Sequence, residues 1–134
     1  MCSWGKVRVA RILLIEDQPI NQKLVQGILA GHELTMASTL AEARIKLSAD
    51  FDLILLDVNL PDGDGFTFFR ELQPHTLSYG IPVIFLTGRN EMKDRMIGFS
   101  LGADDYLTKP FDPVELRARI ESKLHKRQNP KDAA

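Results

Sequence analysis

The chain has a single cysteine, a single tryptophan, two tyrosines and almost no net charge. Cys2 has no partner for an internal disulfide, so a small fold stapled by bridges is excluded and a reducing, cytoplasmic setting is expected. With 17 basic and 18 acidic residues the formal net charge is -1, which gives no electrostatic reason to bind bare nucleic acid. No apolar run approaches the roughly 20 residues that a membrane span requires. The opening MCSWGKVRVAR is partly basic but lacks the apolar core of an export signal. Trp4 there reads as a packing anchor or a leader residue. Internal repeats and low-complexity stretches are lacking too. What is left is 134 residues, 44% hydrophobic and 26% charged, which is the size and balance of one ordinary domain with a real core and one main site.

Residues 51–66, FDLILLDVNLPDGDGF, pose the first chemical question: why does so greasy a run close on an aspartate? Leu53 to Leu56 are short enough, and flanked by enough turn chemistry, for a strand buried on both faces. Asp57 then stands at the strand's mouth, because Asn59, Pro61, Asp62, Gly63, Asp64 and Gly65 turn the chain at once into a loop.

The same rhythm runs through the rest. Arg11 to Glu16 (RILLIE) predicts a first strand, and Pro19 opens a helix with Ile20, Leu24, Ile28 and Leu29 at apolar spacing and Gly31 as its stop. Glu33 to Ala37 predicts a weak second strand. Ser38 or Thr39 caps a helix whose apolar positions are Leu40, Ala43, Ile45 and Leu47. After the third strand, Phe66, Phe69 and Leu72 follow helical spacing until Pro74 ends the helix early. Ile81 to Thr87 (IPVIFLT) predicts a fourth strand. Glu91 to Leu101 follows as a helix with a Met92, Met96 and Phe99 stripe and Gly102 as its stop, and then Ala103 to Thr108 (ADDYLT) as a fifth strand. Pro113 opens a last helix with Val114, Leu116, Ile120 and Leu124 inward. Five alternations of strand and helix imply right-handed crossovers and a parallel α/β sheet covered on both faces.

Such a sheet collects ligand chemistry at the carboxyl ends of its strands, where the strand order reverses. Four polar features fall at those ends: Glu16 with Asp17, then Asp57, Thr87 and Lys109. Three carboxylates in one pocket repel unless a cation sits among them, and hard oxygen donors in an incomplete cage suit Mg2+ or Mn2+. A rim lysine can neutralise phosphoryl oxygen charge, and a small hydroxyl can donate to another oxygen. Together they make a site for an aspartyl phosphate, with the carboxylate as nucleophile. Taken singly, each residue has a plainer role. Asp57 could be a turn residue, Glu16 and Asp17 helix caps, Thr87 turn chemistry before Gly88, Lys109 an exposed loop lysine, and Tyr106 edge packing. Convergence on one rim is what favours the chemical role.

The motifs IEDQ, LILLDVNLPDGDG, VIFLTG and GADDYLTKPF, in that order and register from about Val9 to about Lys126, resemble the receiver domain of bacterial two-component response regulators. The resemblance implies a flavodoxin-like (βα)5 doubly wound sheet with strand order 2-1-3-4-5. It implies a signalling switch rather than an enzyme in the ordinary sense, in which Asp57 accepts a phosphoryl group from a phosphohistidine on a sensor histidine kinase or a histidine phosphotransfer protein. Asp17 is then the direct Mg2+ ligand and Glu16 acts through water. Asp57 and the backbone carbonyl of Asn59 complete the protein's share of the shell. Lys109, with an expected cis bond to Pro110, matches the family's lysine. Thr87 and Tyr106 match its switch pair, the threonine moving toward the phosphoryl group while the ring turns inward. Gly88 keeps the approach to Asp57 open, and Asn59 and Arg89 tune a slow autodephosphorylation.

The phosphorylated form would be read on a face formed by the fourth helix, fifth strand and fifth helix, where Asp104, Asp105, Lys93, Arg95, Glu115 and Arg119 supply both charge signs. As single surface pairs they would be worth little. GADDYLTKPFDPVELRARI is most like receivers coupled to winged-helix transcription factors that dimerise through this face. The implied partners are therefore an output domain or partner protein and a phosphorylation-dependent homodimer, with neither direct nucleic acid nor membrane contact. Residues 9–126 form the expected receiver domain, 1–8 a leader and 127–134 a tail or the start of a linker. A single-domain phosphorelay intermediate would use the same residues. A degenerate receiver kept only as a binding module should have lost the acid pair, Asp57 or Lys109, and none is lost. A metal-dependent hydrolase with an aspartyl nucleophile wants a second acid where Asn59 stands. A flavodoxin-type cofactor binder wants phosphate-cradling glycines that EDQPIN lacks.

Overall fold

The computed structural model describes residues 8–89 and 92–128. Cys2, Trp4, the predicted helix start at Glu91 and the tail beyond Gln128 lie outside the described residues. Five parallel strands form one sheet: β1 (Arg11–Ile15), β2 (Glu33–Ala37), β3 (Leu53–Leu56), β4 (Val83–Thr87) and β5 (Asp105–Thr108). Their spatial order is β2-β1-β3-β4-β5, the flavodoxin-like order. Five helices alternate with them: α1 (Pro19–Ile28), α2 (Leu40–Lys46), α3 (Gly65–Tyr79), α4 (Met92–Ser100) and α5 (Pro113–Gln128). A two-residue antiparallel ladder, Asn59–Leu60 against Gly63–Asp64, closes the loop after β3.

Side chains alternate across the sheet with period two and divide the core into two layers. Leu13 and Ile15, Ile54 and Leu56, and Val83 and Phe85 point to the side packed by Leu40 and Ala43 of α2 and by Phe66, Phe68, Phe69 and Leu72 of α3. Ile12 and Leu14, Leu53 and Leu55, and Ile84 and Leu86 point to the other, against Val25, Leu29, Leu116, Ile120 and Leu124. Burial on both faces is why β1, β3 and β4 read as unbroken apolar runs.

The helices bury narrower faces than their apolar spacing predicts. On α1 the inward residue is Val25, with Leu29 just beyond the helix, whereas Ile20 and Leu24 are exposed. Leu24 and Ile28 instead line, with Pro113 and Val114, a shallow cleft of about 630 Å³ between α1 and α5. Val114 is likewise exposed, as is Ile45 on α2. The Met92, Met96 and Phe99 stripe of α4 also faces outward, and the residues turned to the core are Asp94 and Gly98. A Cβ on Gly98 would lie 2.7 Å from Tyr106 Cδ2, so α4 approaches the sheet where a larger side chain has no room.

Pro74 does not end α3, which runs on to Tyr79. A proline inside a helix costs roughly 3 kcal/mol, but Phe66, Phe68, Phe69 and Leu72 are all buried, at about 1.5–3 kcal/mol each. Thr76, two residues beyond the proline, is buried too. The helix stops at Gly80 in the left-handed region at φ 62, where Ile81 N–H bonds the Thr76 carbonyl at 2.9 Å.

Candidate functional site

The sheet's ladder is carried one residue past the strand ends. Glu16 N–H donates to the Ala37 carbonyl at 2.9 Å, Asp57 N–H to the Ile15 carbonyl at 3.0 Å, and Lys109 N–H to the Thr87 carbonyl at 2.8 Å. Glu16, Asp57 and Lys109 are thus each the first residue beyond β1, β3 and β5, while Thr87 is the last residue of β4. Parallel pairing brings the four together on one edge, as the convergence argument predicts.

Lys109 occupies the centre. Its Nζ lies 2.7 and 3.0 Å from the two oxygens of Glu16 and 2.9 Å from Asp57 Oδ2. Carboxylate oxygens of Glu16, Asp17 and Asp57 all fall within 4.8 Å of one another. Such an oxygen-only donor set fits a hard divalent cation such as Mg2+. The Lys109–Pro110 peptide bond is cis.

Neither acid of the first pair caps a helix, since Gln18 is the N-cap of α1 and makes no side-chain capping bond. Glu16 is held instead by the helix that follows it. Asn21 Nδ2 donates to Glu16 Oε1 at 2.7 Å, and Gln22 Nε2 donates to the Glu16 carbonyl at 2.6 Å and to Ser38 Oγ at 3.2 Å. Asp57 combines the turn role with the site: its Oδ1 accepts from Val58 N–H at 2.6 Å and more weakly from Asn59 N–H at 3.4 Å, leaving Oδ2 for the lysine.

Burial and the hydrogen bond with Asp57 push Glu16 up from 4.5 to about 7, against the pull of Lys109. Burial would raise Asp57 as well. Hydrogen bonds from Glu16 and Lys109, with help from the Thr87 hydroxyl, prevail and hold it below the ordinary aspartate value. Two adjacent carboxyls thus share a proton unequally, and Asp57 is the one kept ionised. Burial works to lower Lys109, but its two carboxylate partners raise it.

The remaining acids of the glycine-rich loop are structural. Asp62 accepts from the N–H groups of Leu40 and Ala41 at 2.8 and 3.0 Å, and Asp64 caps α3 through Phe66 N–H at 2.7 Å. Gly65 matters more than turn chemistry indicates, because a Cβ there would stand 2.1 Å from the Asp57 carbonyl oxygen. Only glycine lets α3 begin against the strand end that carries Asp57. Asn21 and Gln22 escaped the sequence reading, and Gly65 stood there only as a turn residue. A polar pair just inside a helix that follows two acids was the available signal for the first two.

Thr87 is fully buried, and its Oγ1 accepts from Arg89 N–H at 3.3 Å. Tyr106 is already inward, 2% exposed, its ring near Phe85, Phe66 and Phe99 and its hydroxyl donating to the Arg89 carbonyl at 2.6 Å. Burial, reinforced by the negative charge of Asp94, pushes the phenol up to about 12. Arg89 is partly exposed, and its guanidinium pairs with Asp94 at 2.7 Å and lies over the Phe66 ring at 5.4 Å. A Cβ on Gly88 would meet nothing within 4 Å. Asn59 is exposed. Of the charges expected on the α4-β5-α5 face, Asp105 is instead buried and paired with Arg119 at 3.0 Å.

The response regulator receiver domain model matches residues 12–121. The chain is 42% identical over 120 residues to the transcriptional regulatory protein GltR of Pseudomonas aeruginosa, covering 87% of this chain and 50% of that protein. It is 40% identical over 119 residues to the phosphate regulon transcriptional regulatory protein PhoB of Escherichia coli, covering 87% and 52%. The chain therefore spans about half the length of the curated relatives it matches. A two-component response regulator from Clostridium difficile superposes with a TM-score of 0.81 at 32% identity, covering 90% of this chain and 98% of that one. Among the described residues, no helix is long and apolar enough to cross a membrane. Domains of this kind are signalling modules that switch on phosphorylation and bind Mg2+ at an acidic pocket, here represented by Glu16, Asp17 and Asp57. The chain belongs to the response regulator receiver domain family.

Proposed function

We propose that Asp57 accepts a phosphoryl group from the phosphohistidine of a sensor histidine kinase or histidine phosphotransfer protein. The observation that carries this is the bridge from Lys109 Nζ to both Glu16 and Asp57, which puts a fixed cation beside an ionised, sheltered carboxylate. An Asp57 oxygen attacks phosphorus, the phosphorus–nitrogen bond of the donor breaks, and the leaving imidazole keeps the electron pair and takes up a proton. Lys109 faces the oxygens on which negative charge gathers, and Thr87 supplies a hydroxyl from the neighbouring strand end. Glu16, Asp17, Asp57 and the Asn59 carbonyl would hold Mg2+, or Mn2+ in its place. When bound, that ion neutralises the carboxylates and the incoming phosphoryl group.

On this reading Thr87 and Tyr106 form the switch and Asn59 and Arg89 tune a slow autodephosphorylation. The receiver unit is 9–126, acting in the cytoplasm. Its output is a domain or partner protein, or a phosphorylation-dependent homodimer, meeting the α4-β5-α5 face. The exposure of Met92, Met96 and Phe99 on α4, and of Asp104 and Arg119, supports that choice of surface. Without Asp105, the exposed charges there still carry both signs.

The test is incubation with Mg2+ and acetyl phosphate, followed by intact mass of wild type and Asp57→Ala. A single base-labile phosphoryl adduct on wild type alone is expected. Equal modification of both proteins, or none of the wild type, removes Asp57 as acceptor.

A further inference from the structure

Asp94 is a buried carboxylate that the phosphoacceptor chemistry does not use. It lies in the first turn of α4 and is 4% exposed. Its Oδ1 accepts from the Arg89 guanidinium at 2.7 Å. A carboxylate this sheltered is costly without a partner, so the pair holds strongly in place even though the arginine is partly wet.

Arg89 meets the switch at both ends. Its N–H donates to Thr87 Oγ1, and its carbonyl accepts from Tyr106. Its side chain is gripped by Asp94 from α4 and by the Phe66 ring from α3. Four residues after Asp94, Gly98 leaves the space that the Tyr106 ring fills. The inward tyrosine's hydroxyl is thus held by the Arg89 carbonyl, and that carbonyl belongs to a residue anchored by its side chain.

We propose that Asp94 is a positioning residue: by anchoring Arg89 it holds Tyr106 in the inward arrangement before any phosphoryl group arrives. The proposal rests on the reading of Thr87 and Tyr106 as the switch. Physically, the Asp94–Arg89 pair biases a two-state equilibrium toward one state, which a phosphoryl group on Asp57 then need not supply in full. The chain would be pre-set toward its active packing, with a smaller remaining response to phosphorylation.

Fluorotyrosine labelling tests this on the whole chain. Of the two tyrosines, Tyr79 is exposed and serves as internal reference, and Tyr106→Phe assigns the other signal. In wild type without a phosphodonor, the Tyr106 resonance should be that of a buried ring. In Asp94→Asn, a near-isosteric change, about half or more of its intensity should move toward the exposed position, as loss of a bias of this kind predicts. Asp94→Glu, which keeps the charge, should restore part of the buried signal. Arg89→Ala should reproduce the effect of Asp94→Asn, and the double variant should be no worse than either alone. A buried Tyr106 signal in both single variants overturns the proposal, as does an additive double variant. Adduct formation by unlabelled wild type is measured in parallel: its failure would count against Asp57 as acceptor and leave the fluorine result standing.

Discussion

Lys109 Nζ lies 2.9 Å from Asp57 Oδ2 although 52 residues separate the two in sequence. The same ammonium reaches Glu16, so it is the element that lets two carboxyls share one small pocket. Lys109→Ala should leave them facing each other and the phosphoryl oxygens without a cation. The rate of adduct formation from acetyl phosphate should fall by about 100-fold, the usual scale for losing one such stabilising group. Lys109→Arg should recover little, because a planar fork cannot take the place of a compact ammonium between two acids. A time course of intact mass measures both.

Glu16 gives a pH signature to the metal-free protein. Its folded value of about 7 lies above the ordinary 4.5, so the folded state binds the proton more tightly than the unfolded chain. That contribution is full below about 4.5 and disappears as pH rises through about 7. Urea unfolding in chelator should therefore show wild type losing on the order of 3 kcal/mol from this group across that window, in which Asp57, held below its ordinary value, is ionised whether folded or unfolded and adds no slope. Glu16→Gln should flatten the profile. Mg2+ at mildly alkaline pH should restore stability to wild type, by about 2.7 kcal/mol at 100 times its dissociation constant, and much less to Asp17→Asn.

Gly65→Ala should be costly for its size. The new Cβ would press on the Asp57 carbonyl oxygen at 2.1 Å and on Val58 Cα at 2.8 Å, which are backbone atoms that cannot rotate aside. A loss of about 3 kcal/mol is expected, at the upper end for overpacking. Phosphorylation should slow as well, because the displaced atoms adjoin the acceptor. Urea unfolding and the adduct time course report the two effects separately.

Pro74→Ala should stabilise. The proline sits inside a continuous α3, so alanine restores an N–H that can bond four residues back. The gain of up to about 3 kcal/mol is reduced by the roughly 1 kcal/mol of unfolded-chain entropy that proline had removed. A net rise of about 1–2 kcal/mol in unfolding free energy, with no change in adduct formation, is the expected outcome.

The strands were legible because a parallel sheet buried on both faces has no polar side to confuse the pattern, as LILL of β3 and VIFLT of β4 show, whereas their order came only from the family resemblance. Glu16, Asp57, Thr87 and Lys109 were legible because each ends or directly follows such a run. Helix faces were not. Ile20, Leu24, Ile45, Met92, Met96 and Val114 satisfy helical spacing yet stand in solvent, since spacing says which residues share a face and not which face meets the sheet. Asp94 and Gly98, the true inner side of α4, carry no apolar signal. α3 runs on through Pro74 to Tyr79 with Thr76 buried beyond the proline, a tertiary context that a local rule about proline cannot weigh.

Glu16 and Lys109 are 93 residues apart in sequence and meet only through the paired strands between them. No fragment of the chain holds a partial version of the pocket, and a slip of one residue in any strand would turn its contribution to the opposite side of the sheet. Competence to take up phosphate is thus an all-or-none report on native strand pairing. A variant destabilised away from the pocket should lose active molecules in proportion to its unfolded fraction, while each molecule that remains folded works at the full rate.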